Sequence, residues 1–168
     1  MNRNRTPLAI TAGISFVSYY YQNKKQYPKV LAAQVLEALK GMEKLTGKKF
    51  GDPKNPLLVS VRSGARKSMP GMMETVLNVG LNEKTIEGII AQSGDARFAY
   101  DAYRRLIMMY ADVVMEKAGG IEVKNGKGIR KMLDEKLEHV KHTRGYAFDT
   151  DLTVDELKAL VKDYKATV

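Results

Sequence analysis

The chain has 168 residues, with 28 Lys and Arg against 19 Asp and Glu and a formal net charge of +9. A composition that is 44% hydrophobic and 28% charged excludes a disordered or fibrous chain, and the absence of Cys excludes disulfides, thiol nucleophiles and thiolate metal sites. The charge is uneven: residues 1–70 hold 13 basic and 3 acidic side chains (+10), and residues 71–168 hold 15 and 16 (−1), which points to a local anion site or an acidic partner.

The length fits one domain, or one domain with a small insert. No apolar run is long enough to span a bilayer, so no membrane is expected. The first residues have a basic head and a mildly apolar stretch, as a leader peptide does, but Thr6, Thr11, Gly13 and Ser15 dilute it. A cytoplasmic protein is the expectation.

Pro7 to Phe16 is weakly alternating and β-branched, which predicts a short strand or extended entry. Pro28 suits the first turn of a helix whose apolar positions are Leu31, Val35, Leu39, Met42 and Leu45, and Gly47 suits its end. Lys48 to Pro56 reads as a basic loop. Leu57 to Arg62 is the clearest strand, with Leu58, Ser60 and Arg62 on one face. A Ser- and Gly-rich loop, Ser63 to Gly71, follows.

The remainder reads as mainly helical. Thr85 to Gln92 predicts a short helix closed by Gly94. Asp95 can cap a long helix from Ala96 to about Lys117, with a stripe of Tyr100, Tyr103, Ile107, Tyr110 and Val114. Gly119-Gly120 and Asn125-Gly126 mark a connection to a charged helix, Ile129 to about His142. Its apolar side is Met132, Leu133, Leu137 and Val140. Thr153 and Glu156 form a capping-box signature for a last helix, Val154 to Lys165.

The junction Arg62 to Gly71 is the candidate for chemistry. A strand that ends in Arg and opens into Gly, Ser, Arg66 and Lys67 gathers guanidinium groups and free backbone N–H groups, which phosphate oxygens require. The bland alternative is a solvated basic loop. A Walker loop is rejected, because Val61 and Arg66 stand where that pattern needs Gly. Met69, Met72 and Met73 fit either gap-filling or an apolar flap beside a base. His139 and His142 share a helix face, but a solvated face explains them better than a metal. Asp149 and Asp151 fit a turn ahead of a helix better than a metal site, and the Tyr stripe fits a core. Tyr19 to Tyr21 beside Lys24 and Lys25 could stack bases, though a plain surface is the default.

The run LLVSVRSGARKSMPGMMETVLNVGL, Leu57 to Leu81, resembles the nucleotide-binding region of the pyruvate, phosphate dikinase family. The flanks are similar too: Gly47 to Asp52 before it, Arg97 to Arg105 and Met109 to Val114 after it, and Phe148 to Thr153 further on. Lys67 and Glu74 depart from the family pattern, where a small or apolar residue and Asp are usual, and Leu8-Ala9 replaces Gly-Phe.

The resemblance implies an α+β, mainly helical fold: a partial ATP-grasp-like small sheet over residues 1–80, with a helical subdomain over 81–168. It implies that ATP is bound with Mg²⁺, in a family that moves a phosphoryl group through a phosphohistidine to pyruvate, giving phosphoenolpyruvate. It assigns phosphate binding to Arg62, Ser63, Gly64, Arg66, Ser68, Gly71, Met72, Met73 and Thr75, with no catalytic residue and no metal ligand in the chain. The Gly-rich Lys segment, the Mg²⁺ ligands and the phosphohistidine and pyruvate domains are expected outside these residues. The expectation is therefore a fragment that is inactive alone, or one that needs a second chain to complete the fold. The alternative is a non-enzymatic basic module for nucleic acid or an acidic protein.

Overall fold

A computed structural model describes residues 24, 26–62, 75–120 and 128–168. The chain divides into two compact units, Met1–Gly47 and Lys48–Val168. In the first unit, helix α1 spans Lys29–Thr46. Pro28 stands just before the helix, as its cap, rather than inside the first turn. Gly47 ends α1 in the left-handed conformation at φ 67°, and its N–H donates to the Glu43 carbonyl at 2.9 Å. The expected strand over residues 7–16 lies outside the described residues.

The second unit begins with the basic loop, which Asp52 organises. Its Oδ1 accepts from the Lys54 N–H at 2.7 Å and the Asn55 N–H at 3.1 Å, an Asx turn. Those two bonds hold the Asp52 carboxyl below its ordinary range. Lys49 pairs with Pro56, and Leu57 then enters strand β1, Val59–Arg62. Leu57 and Leu58 precede the paired part instead of belonging to it.

Strand β2, Thr75–Val79, runs antiparallel to β1. The sequence reading leaves this strand unassigned. The register is Val59↔Val79, Val61↔Val76 and Arg62↔Thr75, so β2 carries one extra residue between Val76 and Val79. Asn78 absorbs it at φ 59°, a left-handed value that Asn tolerates better than most residues. That bulge breaks the alternation by which a strand is recognised.

After β2, the wholly buried Thr85 folds the chain into helix α2, Ile86–Ser93. Its Oγ1 accepts from the Asn82 N–H at 2.9 Å and donates to the Gly80 carbonyl at 2.9 Å. Gly94 closes α2, and Asp95 caps α3, Ala96–Met109, accepting from the Phe98 N–H at 2.9 Å. The helical run continues to Ala118, but Tyr110–Ala118 is wound as a π-helix, with the Gly119 N–H on the Val114 carbonyl. Helix α4, Ile129–Arg144, ends at Gly145. A 3₁₀ turn, Asp149–Asp151, leads to α5, Val154–Thr167. The expected Thr153–Glu156 capping box is present in full.

Within the second unit, helices α2 to α5 share one apolar core that includes Leu81, Ile86, Ala99, Tyr103, Ile107, Leu133, Leu137, Leu157, Leu160 and Tyr164. Tyr164 is fully buried, and its hydroxyl donates to the Leu133 carbonyl at 2.8 Å. Burial pushes that phenol up to about 12. Of the expected Tyr stripe, Tyr103 and Ile107 are core, Tyr100 is half-buried, and Tyr110 is exposed. The mainly helical α+β class is what the sequence leads one to expect.

Candidate functional site

Two residues expected at the phosphates, Arg62 and Thr75, are cross-strand partners at the open end of the hairpin. Ser63, Gly64, Arg66, Ser68, Gly71, Met72 and Met73 lie outside the described residues, as do Lys67 and Tyr19 to Tyr21. Arg62 is exposed and Thr75 half-buried. Directly opposed residues of an antiparallel pair point to the same face, and i, i+2 residues share it. Arg62, Thr75 and Leu77 therefore lie on one face of the hairpin.

On that side is a cavity of about 560 Å³, lined by Leu77 and Asn78 of β2, by Phe98, Asp101, Ala102, Arg104, Arg105, Met108 and Met109 of α3, and by Arg130 and Asp149. A second cavity of about 400 Å³, lined by Val76, Val79, Gly80, Leu106, Ile107, Tyr110, Lys165 and Val168, is largely apolar. The two differ in charge. The first brings together Arg104, Arg105 and Arg130, which sequence reasoning did not single out.

Arg104 is almost wholly buried. Its Nη2 reaches Asp101 Oδ1 at 2.7 Å and Asp149 Oδ2 at 3.1 Å, and its Nη1 meets Met108 Sδ at 3.3 Å. Burial works against its charge, but the Asp101 hydrogen bond and the surrounding carboxylates outweigh it and raise its pKa above the ordinary value. Arg105 Nε is 2.8 Å from Asp101 Oδ2. Arg97 pins the adjoining turn by donating to the Leu152 carbonyl at 2.9 Å and the Asp149 carbonyl at 2.8 Å. The signal for this cluster was present in the spacing, since Asp101 stands three and four residues before Arg104 and Arg105.

The other sequence candidates are used structurally. Asp149 also binds Lys141 at 3.2 Å, and Asp151 Oδ2 accepts from the Ala147 and Phe148 N–H groups at 3.1 and 2.8 Å. His139 and His142 are exposed on α4. Among the described residues, no three His, Asp or Glu side chains converge as metal ligands. Among the same residues, no helix is long and apolar enough to cross a membrane.

The family model described as "Pyruvate phosphate dikinase, AMP/ATP-binding domain" matches residues 22–156. The chain is 46% identical over 160 residues to pyruvate, phosphate dikinase of Clostridium symbiosum, which covers 95% of this chain and 17% of that protein. It is 46% identical over 159 residues to the chloroplastic pyruvate, phosphate dikinase of Flaveria pringlei, covering 95% and 15%. It is 42% identical over 162 residues to the Rhizobium meliloti enzyme of that name, covering 96% and 17%. The chain thus spans about one sixth of the length of the curated relatives it matches. These matches give no support to a basic module for nucleic acid.

Proposed function

The chain belongs to the pyruvate phosphate dikinase AMP/ATP-binding domain family, and from that premise we propose that it carries part of the ATP site of a dikinase. Residues 1–80 supply the nucleotide-binding elements, and residues 81–168 the helical support. The observation that carries the reading is the Arg62↔Thr75 pair, which sets a guanidinium and a hydroxyl side by side on the face that leads to the Arg-lined cavity.

Phosphoryl transfer asks a protein mainly to position the phosphates and neutralise their charge. Arg62 does both: its planar fork donates to two phosphate oxygens and its charge is permanent. Thr75 adds a hydroxyl donor beside it. The segment 63–74 joins the two and holds the remaining proposed contacts. Mg²⁺, when bound, supplies charge neutralisation between phosphate oxygens. The described residues offer no carboxylate cage for it.

The test is calorimetric titration of the chain with Mg-ATP, for the wild type and for Arg62→Ala. Loss of a charge-assisted phosphate bond weakens binding about tenfold or more. Tight wild-type binding that Arg62→Ala leaves unchanged overturns the role of Arg62.

A further inference from the structure

Resting on the ATP-binding reading, we propose that Arg130 is a second phosphate-contacting cation of that site and that Asp112 is its positioning residue. Arg130 lines the Arg-rich cavity from the first turn of α4, facing the side of the hairpin that holds Arg62, Thr75 and Leu77. Its side chain is 54% exposed.

The guanidinium is held from behind. Nη1 lies 2.7 Å from Asp112 Oδ2 in the π-helical segment, and Nε lies 3.8 Å from Asp134. No described residue takes Nη2. The backbone is fixed as well, because the Arg130 N–H donates to Glu116 Oε1 at 2.7 Å. Gly128 leaves room for that carboxylate, since a Cβ there would stand 2.6 Å from Glu116 Oε2. An arginine oriented by carboxylates on one edge and open on the other is preorganised for an oxyanion. Arg104 is different: it is buried and spent on Asp101 and Asp149.

The same cavity is also lined by apolar Leu77, Phe98 and Met109. Leu77 is two residues along β2 from Thr75, about 7 Å at the strand rise. The ligand class that fits a cavity with both cationic and apolar lining, opening on the hairpin face that carries Arg62, is a polyphosphate chain attached to a flat, weakly polar ring, a nucleoside triphosphate.

The experiment titrates the full chain with ATP and with inorganic tripolyphosphate, alongside thermal melts to confirm folding. Arg130→Gln is expected to weaken both ligands about tenfold, with Arg130→Lys recovering part of the loss. Asp112→Asn leaves Arg130 in place but unanchored, and weakens both ligands several-fold; it is decisive if Arg130→Gln does not fold. If Arg62→Ala abolishes binding while Arg130→Gln and Asp112→Asn bind as wild type, this inference is wrong and the ATP reading stands. If the folded wild type binds neither ligand, the ATP reading itself fails, and the role of Arg130 with it.

Discussion

Arg104→Met keeps the length of the side chain and removes its charge. Taking one partner from a buried ion pair costs about 3 to 5 kcal/mol when the carboxylate left behind is stranded. Here two carboxylates lose Arg104, but neither is stranded. Asp101 keeps Arg105 at 2.8 Å, and Asp149 keeps Lys141 at 3.2 Å. Their side chains are 14% and 37% exposed, so water relieves Asp149 further. The expected loss is therefore about 2 to 3 kcal/mol, below the stranded value. With a urea slope of about 2 kcal/mol per molar, the unfolding midpoint falls by about 1 to 1.5 M. Arg104→Lys keeps the charge but not the fork, and falls between Met and wild type. A double-mutant cycle with Asp149→Asn isolates the direct Arg104–Asp149 share. The opposing physics is desolvation: burying the guanidinium also costs several kcal/mol, and Met is free of that cost. A midpoint for Arg104→Met within about 0.3 M of wild type would show that desolvation wins, and the reasoning would fail.

Three further outcomes test the packing and the caps. At Gly88 an added Cβ presses on the Pro53 carbonyl oxygen and stands 2.8 Å from Pro56 Cδ, so Gly88→Ala is expected to lose about 2 kcal/mol in the same urea assay, although Ala is the better helix former. The Glu156 carboxyl is held below its ordinary value, first by the Thr153 N–H, then by the Thr153 hydroxyl and by Arg144. Its stabilisation is thus full above the ordinary carboxylate pKa and is lost as pH falls through the lowered one. Melting temperature measured against pH should drop more steeply in acid for wild type than for Glu156→Gln, and parallel curves would refute the assignment. Thr153→Ala removes the other half of that box and should cost about 1 kcal/mol.

What the sequence made legible follows how local each signal is. Gly47, Asp95 and the Thr153–Glu156 box mark helix ends because each acts on backbone groups within four residues. Strand β2 was hidden for the opposite reason. Its five residues include the bulge at Asn78, and its partner β1 is reached only across the segment 63–74, so no local pattern announces it. Arg62 was singled out through the resemblance of the run Leu57 to Leu81, because a strand ending in Arg before a Gly-Ser loop reads equally well as a solvated basic loop. That Thr75 stands opposite it was not legible, since register is a property of the pair. Tyr110 shows a limit of periodicity: it continues the helical stripe, but the π-helical winding that starts there alters the angular step, and the ring is exposed.

The charge split takes on a different meaning once the cavity is in view. Counting charges along the chain puts the whole net excess in residues 1–70, and Arg62 belongs to that excess. Yet Arg104, Arg105 and Arg130, the cations around the cavity beside the hairpin, all come from the part with a net charge of −1. They escape the count because each is paired: Arg104 with Asp101 and Asp149, Arg105 with Asp101, Arg130 with Asp112. Pairing cancels the formal charge and at the same time fixes the direction of the guanidinium. For a phosphate that arrives from solvent, a fixed edge with a free N–H is worth more than an unpaired side chain that must be ordered first, because the conformational cost is already met in the folded protein. On the proposed reading Arg130 is such a cation and Arg104, spent on its two carboxylates, is not, so a near-neutral segment can hold a preorganised anion contact.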